Sequence, residues 1–406
     1  FNQSDLTIRD NTNASYNVDF KHDFQKEGHS IELEADYNTL KSDTSNDFDF
    51  SGNSPLIPYD EFVVDTRTNT TINLDYVNPL SENATLEVGF ETRVRRTENT
   101  YLTDRTDFRN SDFRYDRDIH SFYTTFSQNL GRWQYNLGIR LEDYNVDTQF
   151  NEVDENPFTF TDKLFNVYPS GFLKYTSSEE SKNSYQLSFS RRIDRPSLNQ
   201  INPIRQLSTP QVIITGNPSL VPQFTNSIEL NFSRRLNKGN YTFGGFYRRI
   251  NDEINRRGFF DEDNPTVLII DYDNFDSNDA YGLEFSGGYR PTNWWNLNGS
   301  FDVYSRIQKG FIEGEAVEVN NTLMNAKLNN SFKTTKSLTV QLFTFYSGRQ
   351  SILQYDLKPN FFMNLGARYS FSKGKGTISL NYNDIFRTQR FAFETFRTII
   401  QEGQFK

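Results

Sequence analysis

The sequence predicts an all-β fold, a transmembrane antiparallel up-and-down β-barrel, and three observations support this fold class. First, apolar and polar residues alternate along many segments, as in RWQYNLGIRLE from Arg132 to Glu142, and an extended chain sends such residues to opposite faces. Second, short and long connections between these segments take turns along the chain. Third, aromatic residues make up 16% of the sequence although hydrophobic residues make up only 35%. A thin apolar band around a wet interior has this composition.

The strands themselves are predicted by the period-two alternation, which marks about sixteen segments and leaves no sustained helical period. Examples in chain order begin at Ile31, Leu86, Trp133, Tyr185, Ile228, Trp295, Leu338 and Ile378. These segments reach the length of about 9–11 residues that a tilted strand needs to cross a membrane. In the segment quoted above, we expect the odd-numbered residues from Trp133 to Leu141 to face lipid. Gln134, Asn136 and Arg140 then face a wet lumen.

The connections between the predicted strands come in two lengths. Short ones include KEGH at Lys26, LGR at Leu130 and NKGN at Asn237. Long polar stretches are predicted at residues 42–60, 99–114, 149–164, 194–222, 250–280, 306–320, 347–360 and from 386 onward. Outer-membrane barrels have this asymmetry, with short turns at the periplasmic end and long loops at the extracellular end.

Composition and charge exclude several classes of protein. The net charge is −10 and the basic residues are scattered, so we expect no nucleic-acid partner. Cysteine is absent, which excludes disulfides, thiolate metal sites and a cysteine nucleophile. The longest apolar run is VLII at Val267 to Ile270, far below the roughly 18 residues of a transmembrane helix. A membrane role therefore requires a closed barrel.

Two segments carry motifs of a known family. NFDSNDAYGLEFSGGYRPTNWWNLNGSFDVYS, from Asn274 to Ser305, has YGLE before a strand, a short turn and an aromatic-led return strand. SFSRRIDRPSLNQINPI and GNPSLVPQFTNSIELNFS, within Ser188 to Ser233, have R-x-P-S at the end of one strand and GNPxLxP before the next. In order and spacing, both segments resemble TonB-dependent outer-membrane receptors, particularly the branch of outer-membrane β-barrel proteins.

The resemblance implies a receptor or transporter barrel for energy-coupled uptake of a scarce nutrient such as a siderophore, cobalamin, oligosaccharide or peptide. Barrels of that family have about twenty-two strands around a plug, and neither a plug domain nor an energy-coupling box is found here. We therefore expect residues 1–406 to form one barrel domain without the plug and the closing strands. The expected location is the bacterial outer membrane. The expected partners are outer-membrane lipid and lipopolysaccharide, a small nutrient ligand, and a TonB-type energy-coupling protein that acts through a plug outside this chain.

Three arginines are candidate ligand-binding residues because they sit where a predicted strand leaves the membrane. Arg191, Arg192 and Arg195 could form a lumenal or entrance patch that attracts an anionic ligand. Alternatively, they are strand-end charges that pair with Asp194 or with lipopolysaccharide phosphate. The sequence leaves both interpretations open.

Aromatic residues of the long polar stretches are a second set of candidates. Tyr59, Phe259 and Phe260 could stack on a sugar or an aromatic siderophore, as could Phe48 and Phe50. Packing within the loops is the alternative interpretation, and alternation does not decide between the two.

Motifs for catalysis and metal binding are missing from the sequence. The three histidines His22, His29 and His120 have no metal-ligand spacing on a common face. The acidic stretches DFDF at Asp47 and DEDN at Asp261 lack the glycine turn of a calcium loop. We predict no enzyme activity, no metal site and no cofactor. Two alternatives to active uptake stay open: a passive or structural outer-membrane barrel, and a soluble all-β carbohydrate-binding protein of stacked sandwiches, which leaves the alternation of connections unexplained.

Overall fold

The computed structural model describes residues 2–52, 57–105, 108–177, 182–209, 212–262, 264–312, 314–395 and 401–405. Most of them lie in strands, as predicted. The first ten strands are β1 (Asn2–Asp23), β2 (Ser30–Ser51), β3 (Tyr59–Ser81), β4 (Ala84–Thr103), β5 (Ser111–Leu130), β6 (Trp133–Glu152), β7 (Phe158–Thr176), β8 (Asn183–Asp194), β9 (Gln206–Thr209) and β10 (Val212–Ile214). The others are β11 (Gln223–Leu236), β12 (Gly239–Phe260), β13 (Leu268–Thr292), β14 (Trp295–Ile312), β15 (Glu315–Lys333), β16 (Leu338–Ser347), β17 (Gln350–Ser351), β18 (Tyr355–Leu357), β19 (Asn360–Phe371), β20 (Gly376–Tyr382), β21 (Phe391–Thr395) and β22 (Gln401–Phe405). A short helix α1 (Leu198–Ile201) and a 3₁₀ turn at Ser372–Gly374 complete the elements.

Sixteen of these strands form one antiparallel meander, which agrees with the predicted number. The meander follows chain order through β1–β8, β11–β16, β19 and β20, each strand pairing with the next. The short strands β9 and β10 join the same sheet, and β10 pairs in parallel with the start of β13. A separate sheet contains β17, β18, β21 and β22. Within the described residues, no pairing joins β1 to β20.

The meander has an apolar face and a polar face, as the alternation predicts. Trp133, Leu137 and Ile139 are 46%, 52% and 42% exposed, whereas Arg140 on the same strand makes hydrogen bonds to neighbouring strands on the other side. The expected orientation of this segment is therefore confirmed. In a barrel, a sheet with one apolar and one polar face separates lipid from water, and closure of the sheet pairs its backbone groups internally.

An aromatic row crosses the apolar face near the short turns. Seven aromatic residues pair side by side on consecutive strands of the meander: Trp133, Tyr175, Tyr185, Phe232, Phe243, Phe285 and Phe301. All three tryptophans of the chain lie at this end, since Trp294 lies in the β13–β14 turn, Trp295 begins β14, and their rings stack with centroids 6.3 Å apart. Aromatic girdles mark the membrane–water interfaces of barrels. The row thus places one interface at the short-turn end.

The predicted long loops are partly wrong. Residues 250–280 and 306–320 lie mainly in β12–β13 and β14–β15, and β14 is joined to β15 through residues 313–314 alone. These strands run past the apolar band as protruding hairpins. Their sequences lose the alternation because both faces meet polar surroundings, while the backbone hydrogen bonds continue regardless of side chain. Two connections remain long: 195–222 between β8 and β11, and 348–359 between β16 and β19.

The described part of residues 195–222, namely 195–209 and 212–222, is named here the capping segment and folds onto the polar face. Ile201, Ile204 and Leu220 are 3%, 6% and 4% exposed. They belong to an apolar cluster with Tyr101, Phe113, Tyr115, Ile119, Tyr144 and Val146 of β4–β6. Inside the segment Gly216 donates its N–H to the carbonyl of Asn202 (2.8 Å), and a Cβ at Gly216 would lie 2.5 Å from that oxygen, so only glycine fits.

The far end of the capping segment is attached to β13. Thr215 donates its N–H to the carbonyl of Ile270 (3.0 Å), and Val221 donates to the side-chain oxygen of Asn274 (3.0 Å). Strands β5 and β13 are six positions apart in the meander, which at about 4.8 Å per strand is roughly 29 Å along the sheet. The capping segment therefore bridges two distant parts of the polar face.

The connection 348–359 also packs on the polar face. Leu353 is fully buried in an apolar cluster with Phe275, Ile312 and Val317. Gln354 exchanges two side-chain hydrogen bonds of 2.9 Å with the backbone of Gly258. The two inward-folded connections lie at the hairpin end of the sheet, opposite the aromatic row.

We predict that an introduced charge destabilises the barrel more on the apolar face than on the polar face, even at neighbouring positions of one strand. Leu187 is 49% exposed in a row of the apolar face, whereas Ser188 lies on the polar face opposite Glu229. We expect Leu187→Arg to lower the free energy of unfolding in phospholipid vesicles by about 2–4 kcal/mol, because arginine is costly at the bilayer midplane. Ser188→Arg is the control and should cost less than about 1 kcal/mol. Equal losses in guanidinium titrations would contradict the assignment of the faces.

Candidate functional site

Five arginines gather on the polar face below the capping segment, and we call them the arginine cluster. Its members come from β4, β5, β6 and the residue after β8: Arg93, Arg95, Arg117, Arg140 and Arg195. Strand register brings four of them together, since Arg95 is the cross-strand partner of Arg117, and Arg93 on β4 and Arg140 on β6 lie on the same face. Arg195 joins them from the connection after β8. Two carboxylates, Glu91 and Glu142, lie within ion-pairing distance of the cluster.

Glu142 is the centre of the ion network. Its side chain is 2% exposed, and it pairs with Arg195, which is 12% exposed. Arg140 approaches the same carboxylate through Nε (3.4 Å) and reaches Glu91 through Nη2 (2.9 Å). The hydroxyl of Ser121 accepts from Arg140 (2.7 Å) and donates to Glu142 (3.2 Å). Buried charges need such pairing because desolvation is costly.

Arg95 and Arg117 differ from the other members because they face each other across β4 and β5. Directly opposed residues have Cβ atoms about 4.5–5.5 Å apart, and like charges there are destabilising. Arg95 donates through Nε to the side-chain oxygen of Asn69 (2.7 Å). The Nε of Arg117 is buried without a hydrogen-bond partner. Within the described residues neither guanidinium has a carboxylate partner, so the cluster carries an excess of positive charge.

The capping segment closes the arginine cluster from the hairpin end. Toward the hairpin end of the sheet, Tyr144 is the next polar-face residue beyond Glu142 on β6. In the same direction, Tyr115 is the next polar-face residue beyond Arg117 on β5. Both tyrosines are buried in the apolar cluster that holds Ile201. The guanidinium of Arg195 lies over the Tyr144 ring at 5.3 Å from its centroid. An enclosed polar site with low water access strengthens charge–charge interactions.

The structure separates the three arginines predicted from the strand end. Arg195 enters the cluster and pairs with Glu142, while Asp194 accepts a hydrogen bond from Gln223 (3.3 Å). Arg191 lies over the Phe224 ring at 4.9 Å from its centroid. Arg192 is exposed and pairs through its backbone with Thr225. Their role in ligand binding stays a prediction.

The predicted loop aromatics lie in strands. Phe48 in β2 stacks on Tyr59 at the start of β3, with ring centroids 4.6 Å apart, and Arg105 lies over the Tyr59 ring at 4.9 Å. Tyr59 is 6% exposed, and burial together with the charge of Glu61 raises the pKa of its phenol. Tyr59 is therefore packed inside a hairpin cluster, with little surface left for a ligand.

Phe259 and Phe260 end β12, far from the arginine cluster in sheet order. The guanidinium of Arg257 lies over the Phe259 ring at 5.0 Å and pairs with Asp271 (2.7 Å) and Asp273 (2.8 Å). Burial raises the pKa of Asp271, and the Arg257 guanidinium opposes this shift. Phe260 is 40% exposed. The candidate residues thus occupy three separate places on the sheet: one holds Tyr59, one holds Phe259 and Phe260, and one holds the predicted arginines near the end of β8.

Arg93, Arg95 and Arg117 were not predicted as site residues from the sequence. Alternation alone could place each of them on a polar face, but only the register between β4 and β5 shows that Arg95 opposes Arg117. Glu142 was visible at the end of the Arg132 to Glu142 segment, yet its partner Arg195 is 53 positions away in the chain.

Within the described residues no three His, Cys, Asp or Glu side chains come together to hold a metal ion. The described part of the chain also contains no helix of the length and hydropathy needed to span a bilayer.

Comparisons with known proteins place this fold among outer-membrane receptors. The siderophore receptor PiuA from Acinetobacter baumannii is similar with a TM-score of 0.68 and 14% identity over 98% of this chain and 63% of its own. The ferric yersiniabactin uptake receptor FyuA from Yersinia pestis gives a TM-score of 0.68 and 13% identity over 97% and 59%. The ferric-catecholate import receptor Fiu from Escherichia coli K12 gives 0.63 and 14% over 95% and 61%. The chain therefore spans about three fifths of these receptors, and at this identity the likeness shows the fold alone. No curated protein sequence matches the chain.

The class of protein follows from the two-faced sheet and these similarities: the meander is the wall of an outer-membrane β-barrel, with its apolar face toward lipid and its polar face toward the lumen. A family model described as outer membrane protein beta-barrel family matches residues 22–406. The chain belongs to this family and lies in the bacterial outer membrane. The predicted fold class and location are confirmed, and a soluble sandwich is excluded.

The ion pair between Glu142 and Arg195 gives a testable prediction. We expect Glu142→Gln to lower the free energy of unfolding by about 3 kcal/mol, since Arg195 then keeps a buried charge without a carboxylate partner. Hydrogen exchange should also rise at residues 198–204 as the capping segment loosens. Asp143→Asn is the matched control, because Asp143 is the next residue of β6 and lies on the opposite, lipid-side face. It should change the free energy of unfolding by less than about 0.5 kcal/mol. If both variants behave alike, the pair does not hold the segment.

Proposed function

We propose that this chain is the barrel of an outer-membrane receptor that imports a scarce anionic nutrient by energy-coupled, TonB-dependent uptake. The observation that supports an anionic ligand is that Arg95 and Arg117 lie directly opposite each other on the lumenal face. Two like charges held opposite each other destabilise a sheet, and a bound anion would offset that cost.

The chemistry of the arginine cluster favours a particular class of ligand. Five guanidinium groups face two carboxylates, and the planar guanidinium binds carboxylate or phosphate oxygens with two hydrogen bonds. Among nutrients of this transport class, a ferric siderophore with carboxylate or catecholate groups, or an acidic oligosaccharide or peptide, fits better than the largely neutral surface of cobalamin. The names of the similar receptors, which include ferric yersiniabactin uptake and ferric-catecholate import, support this choice.

The rest of the transport cycle would involve partners of the chain and the outer end of the chain itself. A TonB-type energy-coupling protein would act through a plug inside the lumen, and the hairpins and the capping segment would take part in capture at the outer end. Lipopolysaccharide and outer-membrane lipid would surround the apolar face. In this scheme no residue of the chain performs catalysis.

The first prediction separates active uptake from a passive barrel. Cells that express the full gene should accumulate radiolabelled ferric citrate or a ferric catecholate, and a protonophore should abolish accumulation by removing the energy source. Cells without the gene provide the background. Accumulation that persists with the protonophore would favour a passive pore, and retention of the barrel without any uptake would favour a structural role.

The second prediction tests the arginine cluster. We expect R95Q/R117Q to weaken binding of the transported ferric complex by at least about 10- to 100-fold, since the loss of even one hydrogen bond to a charged group costs about 1.5–3 kcal/mol. The matched control is R96Q/R114Q, because Arg96 and Arg114 lie on the same strands but on the lipid-side face, where they pair with Asp118 and Asp116. Binding measured by intrinsic fluorescence quenching should change less than about twofold in the control. Equal effects in both double variants would remove the basis for a lumenal anion site.

A further inference from the structure

Basic residues concentrate on three neighbouring short turns, although the whole chain carries a net charge of −10. Lys182 precedes β8, Arg234, Arg235 and Lys238 surround the β11–β12 turn, and Arg290 is near the end of β13. None of these five side chains has a carboxylate partner within the described ranges. Glu179 and Glu180 of the first turn lie outside those ranges. We call this group of five the basic rim.

The basic rim is held in a fixed arrangement by backbone hydrogen bonds between the turns. Arg235 donates its N–H to the carbonyl of Lys182 (2.7 Å), and Arg290 donates to the carbonyl of Lys238 (2.7 Å). The ammonium of Lys238 reaches the carbonyl of Pro291 (2.6 Å). Between the turns lies an open cleft of about 480 Å³. Its lining consists of Lys182, Arg234, Arg235, Leu236, Asn237, Lys238 and Tyr289.

The cleft adjoins the lipid face at the level of the aromatic row. Phe232 is a member of that row, and Arg234 follows two residues later on the same strand and therefore on the same face. Tyr289, 43% exposed, lines the cleft from β13. Because interfacial aromatics lie at the headgroup level of a bilayer, the basic rim lies where lipid phosphates of the periplasmic leaflet are found.

We propose that this cleft binds the headgroup of an anionic glycerophospholipid of the periplasmic leaflet. Arg234, Lys182 and Lys238 would hold the phosphate, and the acyl chains would lie along Phe232 and Phe243 of the aromatic row. Charge complementarity supports a negative ligand. The continuity of the cleft with the lipid face favours a lipid over an acidic periplasmic protein, which would have no use for the apolar rings beside it. This proposal rests on the membrane position of the chain and not on its transport function.

Native mass spectrometry of the detergent-solubilised full chain tests the proposal. Phosphatidylglycerol and phosphatidylcholine with identical acyl chains are added in turn, and the lipid retained at fixed collision energy is measured. We expect preferential retention of phosphatidylglycerol. K182Q/R234Q/K238Q should lower it at least about tenfold, since each surface cation contributes roughly fivefold. K333Q/K336Q/K373Q, which removes three lysines near other short turns, should lower it less than about twofold.

Three outcomes would overturn the proposal. Equal losses in the two triple variants would mean that the short turns attract lipid by diffuse charge alone. Equal retention of both lipids would remove the role of charge. Tight binding of a tetraglutamate peptide that phosphatidylglycerol does not displace would identify an acidic peptide segment as the occupant. Circular dichroism checks that each variant keeps its β-structure, and the single variant R234Q repeats the measurement if the triple variant misfolds.

Discussion

Cross-strand register is the constraint on which the rest of this molecule depends. In lipid every backbone N–H and C=O must be paired within the protein, and the side-chain period of two then assigns each residue to lipid or lumen. A shift of one residue on β6 would turn Trp133 toward the lumen and Glu142 toward lipid. The aromatic row on seven strands and the arginine cluster on the other face are therefore two results of one register.

Ion pairing and enclosure stabilise the charged side chains of the lumenal face. Glu142 is almost completely buried and is tolerated because Arg140 and Arg195 surround it. The same register leaves Arg95 opposite Arg117, an arrangement that lowers stability and is compensated by the extensive hydrogen bonding of β4 and β5. Sites that bind charged ligands commonly keep charges without an opposite charge beside them, because a fully paired network has nothing to offer a ligand.

Much of the fold could be predicted from sequence, and much of the site could not. Alternation is a local property, so sixteen strands and the orientation of Trp133 and Arg140 follow directly from the residues. The hairpin ends of β12 and β13 were predicted as loop because polar surroundings on both faces erase the alternation. The site depends on contacts between distant residues: Arg195 meets Glu142 only because the register of two strand pairs and the turn of the capping segment bring them together.

The short strands β8 and β11 explain how the capping segment reaches the lumen. β8 has 12 residues and β11 has 14, whereas the flanking strands β7 and β12 have 19 and 22. Exposure within β8 also moves from Tyr185, Leu187 and Phe189 to Arg192 and Asp194, which shifts the alternation by one residue after Phe189. Prolines at 196 and 222 cannot donate to a ladder and stop the pairing at both ends of the segment. The wall is lower at this point than at its neighbours, and the chain that leaves it turns inward, so the first residue after β8, Arg195, enters the lumen instead of the solvent.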